Sequence, residues 1–367
     1  MNWKLVSAIL VIALIIVGYI AIQSLTTYKT YTITSTEYRT TVTTAIEYRT
    51  VTKTVTTPPP KYPLTVMDFL GRNVNITKPP LRIVSCSPLC TEVAAVLELT
   101  DFIVGVDDYT DFPPSIVKLK EQGKVSSVGG VTTLSVEAVA TLKPDLVLVS
   151  ASLQKKFIPT LEELGLTVIA LDARNINDVY SEILILGKVT GREELAERIV
   201  NEMKSRIEAI QQSLAAVRVK VKVFQSSWLE PIWTTGNGTF LNDIIRLAGG
   251  YNVFMDASGW ITVSPESIVE RNPEVIFIGC TMMGLKPEDV ELKLKQIPGL
   301  ENVEAVRKNR VYLLYEQAEN IFVRAGPRVA EAIELLAKIL YPEVFNTNIP
   351  NVIGDNYLNY VKPMVKQ

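Results

Sequence analysis

The sequence predicts an α/β protein of two lobes, each a mostly parallel sheet flanked by helices, joined by one long rigid helix and preceded by a transmembrane helix and a Thr-rich stalk. Three observations carry that expectation. A helix–turn–strand stretch occurs twice: TLSVEAVATLKPDLVLVSA at 133–151 returns 129 residues later as TVSPESIVERNPEVIFIGC at 262–280. Between the copies, Leu195, Ile199, Met203, Ile207, Ile210 and Leu214 recur every three or four residues, the period of an amphipathic helix. Ahead of both lie an uncharged apolar run and a segment with too few large apolar residues to bury a core.

Residues 5–22 contain no charge and follow Lys4, which meets the length needed to span a bilayer. No small-x-small cleavage site and no nearby cysteine accompany the run, so it reads as an uncleaved anchor with its short N-terminus inside. Residues 24–57 hold 15 Thr in 34 positions, with Glu-Tyr-Arg-Thr at both 37–40 and 47–50, and Pro58, Pro59 and Pro60 close the segment. It reads as an extended stalk and a candidate for O-glycosylation, whose alternating Thr and Val would form strands on self-association. Asn75 and Asn237 begin glycosylation sequons suited to an outward-facing domain.

The globular part opens with a hairpin, 64–67 against 73–77, across Leu70-Gly71-Arg72. Strand and helix then alternate: strand 82–85, a helix from Pro88 to about Glu98, strand 102–106, and the loop Asp107-Asp108-Tyr109-Thr110-Asp111-Phe112-Pro113-Pro114. The first repeat copy follows, then a helix over 153–164 and a strand over 166–171. Thr190 to Glu193 has capping-box spacing and opens a helix of 192–217, roughly 39 Å long, which reads as a stiff spine between the sheets or as a long surface helix of one lobe. The second lobe repeats the scheme with strand 221–225, a Trp-rich loop, helix 240–247, the second copy, a helix around 290–295, strand 310–314 and helix 328–340. The resulting division is 1–23 anchor, 24–63 stalk, 64–188 first lobe, 189–218 connecting helix, 219–345 second lobe, and 346–367 an unassigned extension.

Each repeat copy places a Ser suited to N-capping, Ser135 or Ser264, two residues before a Glu, Glu137 or Glu266, in the first helical turn. Two readings stand: ordinary αβ units constrained by architecture, or two equivalent lobes each presenting one carboxylate.

Composition removes several chemistries. With no His among 367 residues, His triads and His-ligated zinc or haem are excluded. A formal charge of -2 without a basic block argues against a nucleic-acid partner. Cys86, Cys90 and Cys280 read as small core residues or free thiols, a Cys86–Cys90 bridge being the alternative in an oxidising exterior. Carboxylates are spread over loops and helix faces, Asp107, Asp108 and Asp111 looking like turn residues, so no catalytic constellation is visible.

Over 64–342 a family likeness accumulates: Arg82-Ile83-Val84-Ser85 with Ser87-Pro88 and Thr91-Glu92, then Tyr109 to Pro114, Val128-Gly129-Gly130 and Leu142 to Val147. Trp233-Thr234-Thr235-Gly236, Ala248-Gly249-Gly250, Trp260 with Val263-Ser264, and Arg324-Ala325-Gly326-Pro327-Arg328 continue it in order. In register these pieces resemble the substrate-binding proteins of ABC importers for iron chelates and vitamin B12, whose lobes one rigid helix joins. The resemblance implies no enzyme activity and no intrinsic cofactor, but a transported corrinoid or ferric siderophore. It further implies a monomer that partners an ABC permease dimer with its ATPase, tethered by the N-terminal helix with its soluble domain on the outer face. By the same likeness Glu137 and Glu266 dock against arginines of the two permease subunits, and Tyr109, Trp228, Trp233, Trp260 and Arg324 line the cleft. The sequence departs from the B12 binders at Val128, where they place a Trp, which keeps a siderophore or a haem-binding member in view. A membrane-anchored receptor or adhesion protein of the same fold is the rival reading.

Overall fold

The computed structural model describes residues 30–38, 48–56 and 62–365, and the chain divides into two compact units, 1–61 and 62–367. In the first unit, β1 (Thr30–Tyr38) pairs with β2 (Tyr48–Thr56) as an antiparallel ladder running from Thr30 opposite Thr56 to Tyr38 opposite Tyr48. The Thr-rich segment expected as an extended stalk is therefore strand-paired in its described parts, as its β-branched content favours. The anchor expected at 5–22 lies outside the described residues, and among the described residues no helix is long and apolar enough to cross a membrane.

The second unit begins with the hairpin β3 (Leu64–Met67) and β4 (Asn73–Ile76). Its turn is closed by the Asp68 carboxylate, which accepts the Leu70 and Arg72 amides, each at 3.0 Å, and pairs with the Arg72 guanidinium. There follow β5 (Ile83–Ser85), α1 (Pro88–Val96), β6 (Ile103–Val106), α2 (Pro114–Glu121), β7 (Ser126–Ser127), α3 (Val136–Thr141), β8 (Leu146–Ser150), α4 (Ile158–Glu163) and β9 (Val168–Leu171). The five strands after the hairpin form one parallel sheet in the order β7-β6-β5-β8-β9. β5, β8 and β9 are buried at every residue, which is why they read as unbroken apolar runs rather than alternating ones.

Two antiparallel helices, α5 (Ile176–Thr190) and α6 (Glu193–Ser213), separate the sheets, with Gly191 in the left-handed region (φ 68°) making the turn. At 21 residues α6 measures about 32 Å, shorter than the 192–217 reading. Beyond it the alternation of Val217, Val219 and Val221 turns the chain toward the next strand. Contacts of α6 reach both lobes. At its start Arg192 lies 3.6 Å from Glu98 and stacks 5.7 Å from the Phe102 ring centroid; at its end Leu214 packs where a side chain at Gly249 would meet it at 2.8 Å. α5 returns alongside so closely that a Cβ on Gly187 would lie 2.4 Å from the Ala196 Cβ.

The main elements that remain, besides short helical turns, are β10 (Lys222–Ser226), β11 (Trp228–Leu229), β12 (Ile232–Thr235), α7 (Phe240–Leu247), β13 (Tyr251–Asn252), β14 (Trp260–Thr262), α8 (Pro265–Arg271), β15 (Val275–Gly279), α9 (Pro287–Gln296), β16 (Val311–Leu314), α10 (Glu316–Val323), α11 (Val329–Leu340) and β17 (Val352–Ile353). A second parallel sheet has the order β13-β10-β15-β16-β17, and β11-β12-β14 form a small antiparallel one. Residues 346–367, unassigned from sequence, supply β17 and the buried Tyr357, whose hydroxyl donates to Glu331 at 2.9 Å.

The repeat copies are α3–β8 and α8–β15. Ser135 and Ser264 accept the Ala138 and Ser267 amides as N-caps, and Lys143 and Asn272, both at positive φ (47° and 44°), close the two helices. In each sheet the repeat strand sits beside the first strand, β8 next to β5 and β15 next to β10, where strand order reverses. One apolar core spans both sheets through α1, α5, α6, α7 and α11, while the opposite face of each sheet has its own smaller core.

Candidate functional site

Ligands of open parallel sheets bind beyond the strand C-termini at the point where the strand order reverses. A cavity of about 550 Å³ lies at that point of the first sheet and is closed by residues of the second lobe. The first lobe contributes Ser87 and Pro88 at the start of α1, Ser150 and Ser152 at the end of β8, and Asp172 and Arg174 after β9. From the second lobe come Thr239 and Phe240 at the start of α7, Trp260 of β14, and Arg324 after α10. Ser87 and Thr239 cap their helices by accepting the Cys90 and Asn242 amides at 3.4 and 3.2 Å. Two helix N-termini, each with its positive dipole end, thus border the cavity.

Trp260 is 52% exposed and is fixed through the ladder, where it stands opposite Thr235, whose carbonyl accepts Asn252 Nδ2 at 2.7 Å. Asp172 accepts the Ser152 hydroxyl at 3.1 Å; burial pushes its carboxyl above the usual range, opposed by that bond and by Arg174. Arg174 is tied to Asp178 through Nε at 3.4 Å and keeps its side chain 78% exposed. Behind this wall Glu182 of α5 is fully buried, with neither carboxylate oxygen hydrogen-bonded. Burial first, then the charges of Asp172 and Asp178, push its carboxyl well above the usual range.

Arg324 lines the cavity, but its charge is already met. Nη1 donates to Glu92 Oε1 at 3.1 Å and to Asp111 Oδ1 at 2.6 Å, while Asn320 Nδ2 donates to Asp111 Oδ2 at 2.9 Å. Arg328 grips the same Glu92 through Nε (2.9 Å) and Nη2 (2.6 Å), and its guanidinium stacks 4.0 Å from the Phe112 ring centroid. Burial alone would raise Asp111, but the Arg324 bond outweighs it and holds that carboxyl below its usual range. This cluster joins the lobes: Glu92, Asp111 and Phe112 precede α5, whereas Asn320, Arg324 and Arg328 follow α6.

Of the five residues expected at the cleft, the structure brings Trp260 and Arg324 together in the cavity. Tyr109 is 66% exposed on the turn after β6, its amide bound to Asp107 Oδ1 at 2.8 Å and its ring beside Gly130, outside the lining. Trp228 and Trp233 oppose each other across β11 and β12, and Trp228 Nε1 donates to the Glu230 carbonyl at 3.0 Å; neither lines the cavity. Strand alternation puts both on the same face of the small sheet as Trp260, because Trp233 and Thr235 are two apart on β12. Asp172, Arg174, Ser150 and Ser152 were missed in the sequence. Their signal was position: each stands at or within a few residues of the end of a buried apolar strand.

Glu137 and Glu266 are both exposed at the second position of their helices. Ser135 Oγ donates to Glu137 Oε2 at 3.3 Å, and the Ser264 hydroxyl holds the Glu266 carboxyl below its usual range. Because crossover helices run antiparallel to their strands, these N-termini stand at the cavity end of each sheet. Cys86, Cys90 and Cys280 are buried free thiols, and among the described residues no group of three or more acidic or thiol side chains is placed to hold a metal ion.

A family profile described as periplasmic binding protein matches residues 83–318. An uncharacterized ABC transporter substrate-binding lipoprotein of Bacillus subtilis is 34% identical over 291 residues, covering 77% of this chain and 87% of that protein. A vitamin B12-binding protein of Photorhabdus laumondii is 27% identical over 264 residues, 71% of this chain and 88% of its own length. Among solved structures, a possible iron-binding periplasmic solute-binding protein of Staphylococcus epidermidis superposes with a TM-score of 0.62 at 29% identity, covering 72% of this chain and all of that one.

Proposed function

The chain belongs to the periplasmic binding protein family and is a substrate-binding component of an ABC transporter, and from that premise we propose that it captures a large metal chelate, a corrinoid or a ferric siderophore, between its lobes. The observation that carries this reading is the cavity beyond the first sheet's reversal point, closed by the second lobe, with an exposed Trp260 face and polar groups from both lobes. About 550 Å³ falls within the ~300–1,000 Å³ typical of small-ligand pockets. A flat indole suits a planar ring system, and a chelate that brings its own metal ligands asks none of the wall. Intrinsic Trp fluorescence of the full chain in detergent, titrated with cyanocobalamin, ferric hydroxamates, ferric catecholates and haemin, is expected to identify one saturating ligand class. Trp260→Ala should weaken that ligand about tenfold. Failure of all four to quench would sink the proposal, and haemin alone would replace it with haem transport.

Delivery, in this reading, uses Glu137 and Glu266 as matched carboxylates, one per lobe, facing a two-fold permease worked by its ATPase. Support comes from their equivalent mounting: same Ser cap, same helical position, same end of each sheet. Glu137→Arg combined with Glu266→Arg should abolish uptake while leaving ligand affinity unchanged; unaltered uptake would overturn the docking role. In this reading the uncharged apolar run at 5–22 tethers the domain to the outer face of the membrane.

A further inference from the structure

The first lobe's wall of the cavity carries both signs of charge within a few residues. Asp172, the residue after β9, shares its Oδ1 with the Ser152 hydroxyl at 3.1 Å, and Ser152 in turn lies 3.2 Å from the Ser150 hydroxyl at the end of β8. Two positions on from Asp172, Arg174 extends an exposed guanidinium whose Nε donates to Asp178 Oδ2 at 3.4 Å, while the Arg174 backbone amide donates to the same oxygen at 3.0 Å. Acceptors and donors therefore alternate along one edge.

The charge balance of that edge decides what it fits. Asp172 and Asp178 set two carboxylates against the single guanidinium of Arg174. The other cation at the cavity, Arg324, brings no surplus, being paired with Glu92 and Asp111. The helix N-termini at Ser87 and Thr239 carry only partial charge and are already capped by those hydroxyls, so a ligand rim of carboxylates on this edge would meet Asp172 with one full positive charge, that of Arg174, to offset it. A carboxamide matches the edge on both of its atoms, because its carbonyl accepts from Arg174 and its N–H groups donate to Asp172 and the serine hydroxyls.

We propose, building on the chelate reading above, that Asp172 and Arg174 are specificity-determining residues that select a macrocyclic chelate bordered by neutral amides and reject the same ring bordered by carboxylates. Trp260, on the opposite lobe, holds the flat face and is indifferent to the rim.

Two probes share one ring and differ in its edge: dicyanocobinamide carries amides, dicyanocobyrinic acid carboxylates. Equilibrium titration of the full chain in detergent, at fixed ionic strength, is expected to show the amide ring bound at least tenfold more tightly. Arg174→Ala should weaken the amide ring about tenfold, with Arg174→Lys recovering only part, because an ammonium lacks the planar fork. Asp172→Asn should narrow the gap between the probes several-fold by removing the repulsion. Trp260→Ala should weaken both alike. Equal affinity for the two rings, a preference for the carboxylate ring or haemin, or a gap untouched by Asp172→Asn would overturn the inference while leaving chelate capture standing. If neither ring nor haemin binds, the corrinoid and haem readings fall and this selectivity falls with them.

Discussion

Glu182 shows how one side chain sets a pH dependence for the whole unit. Its carboxyl is buried with no hydrogen-bonding partner beside Asp172 and Asp178, so the folded state favours the protonated form. A raised folded value means that the stabilising contribution is complete below the unfolded value, about 4.3, and is lost as pH rises through the folded one. Glu182→Gln removes the titration without emptying the site. The variant should therefore melt with the native chain near pH 4 and progressively above it toward neutrality; parallel melting profiles from pH 4 to 8 would contradict this. At this scale the sequence was informative only for local pairings. The caps at Ser135 and Ser264 were readable because donor and acceptor lie three residues apart. The Arg324–Glu92 bond joins residues 232 apart, and no spacing encodes it, so Arg324 looked available for ligand when its charge was already matched.

Among the elements, α5 and α6 pack closely where Gly187 faces Ala196. Two opposing effects meet at Gly187. Alanine in a helix interior is favoured over glycine by about 1 kcal/mol, yet the added Cβ would sit 2.4 Å from the Ala196 Cβ, and separating two packed helices costs about 1–3 kcal/mol. Gly187→Ala should therefore lower the urea midpoint slightly and Gly187→Val much more, the β-branch being both larger and less helical. A rise in midpoint for the alanine variant would show that the helices part without strain. Strands β5, β8, β9 and β15 were legible because burial on both faces leaves an apolar run that polar loops interrupt. The two-residue β17 was not, since a strand that short has no period; nor was the β1–β2 pairing, because the β-branched pattern fits a lone extended chain as well as a ladder.

For the second unit as a whole, the Glu92 cluster and the continuous core set how the lobes relate. Glu92 and Arg328 are each 1% exposed at the side chain, and withdrawing one partner from such a pair costs about 3–5 kcal/mol by leaving the other charged and unmatched. Glu92→Ala should lower the unfolding free energy by about that amount. Glu92→Leu with Arg328→Met should recover most of it, since apolar replacement of both partners leaves no stranded charge. If the double variant is no more stable than the single one, packing around Phe112 rather than charge holds the joint. The core that runs under both sheets has a kinetic corollary. A cleft whose walls share one interior needs little reorganisation to receive cargo, so differences in affinity between cargoes should be read in their release rates more than in their arrival rates.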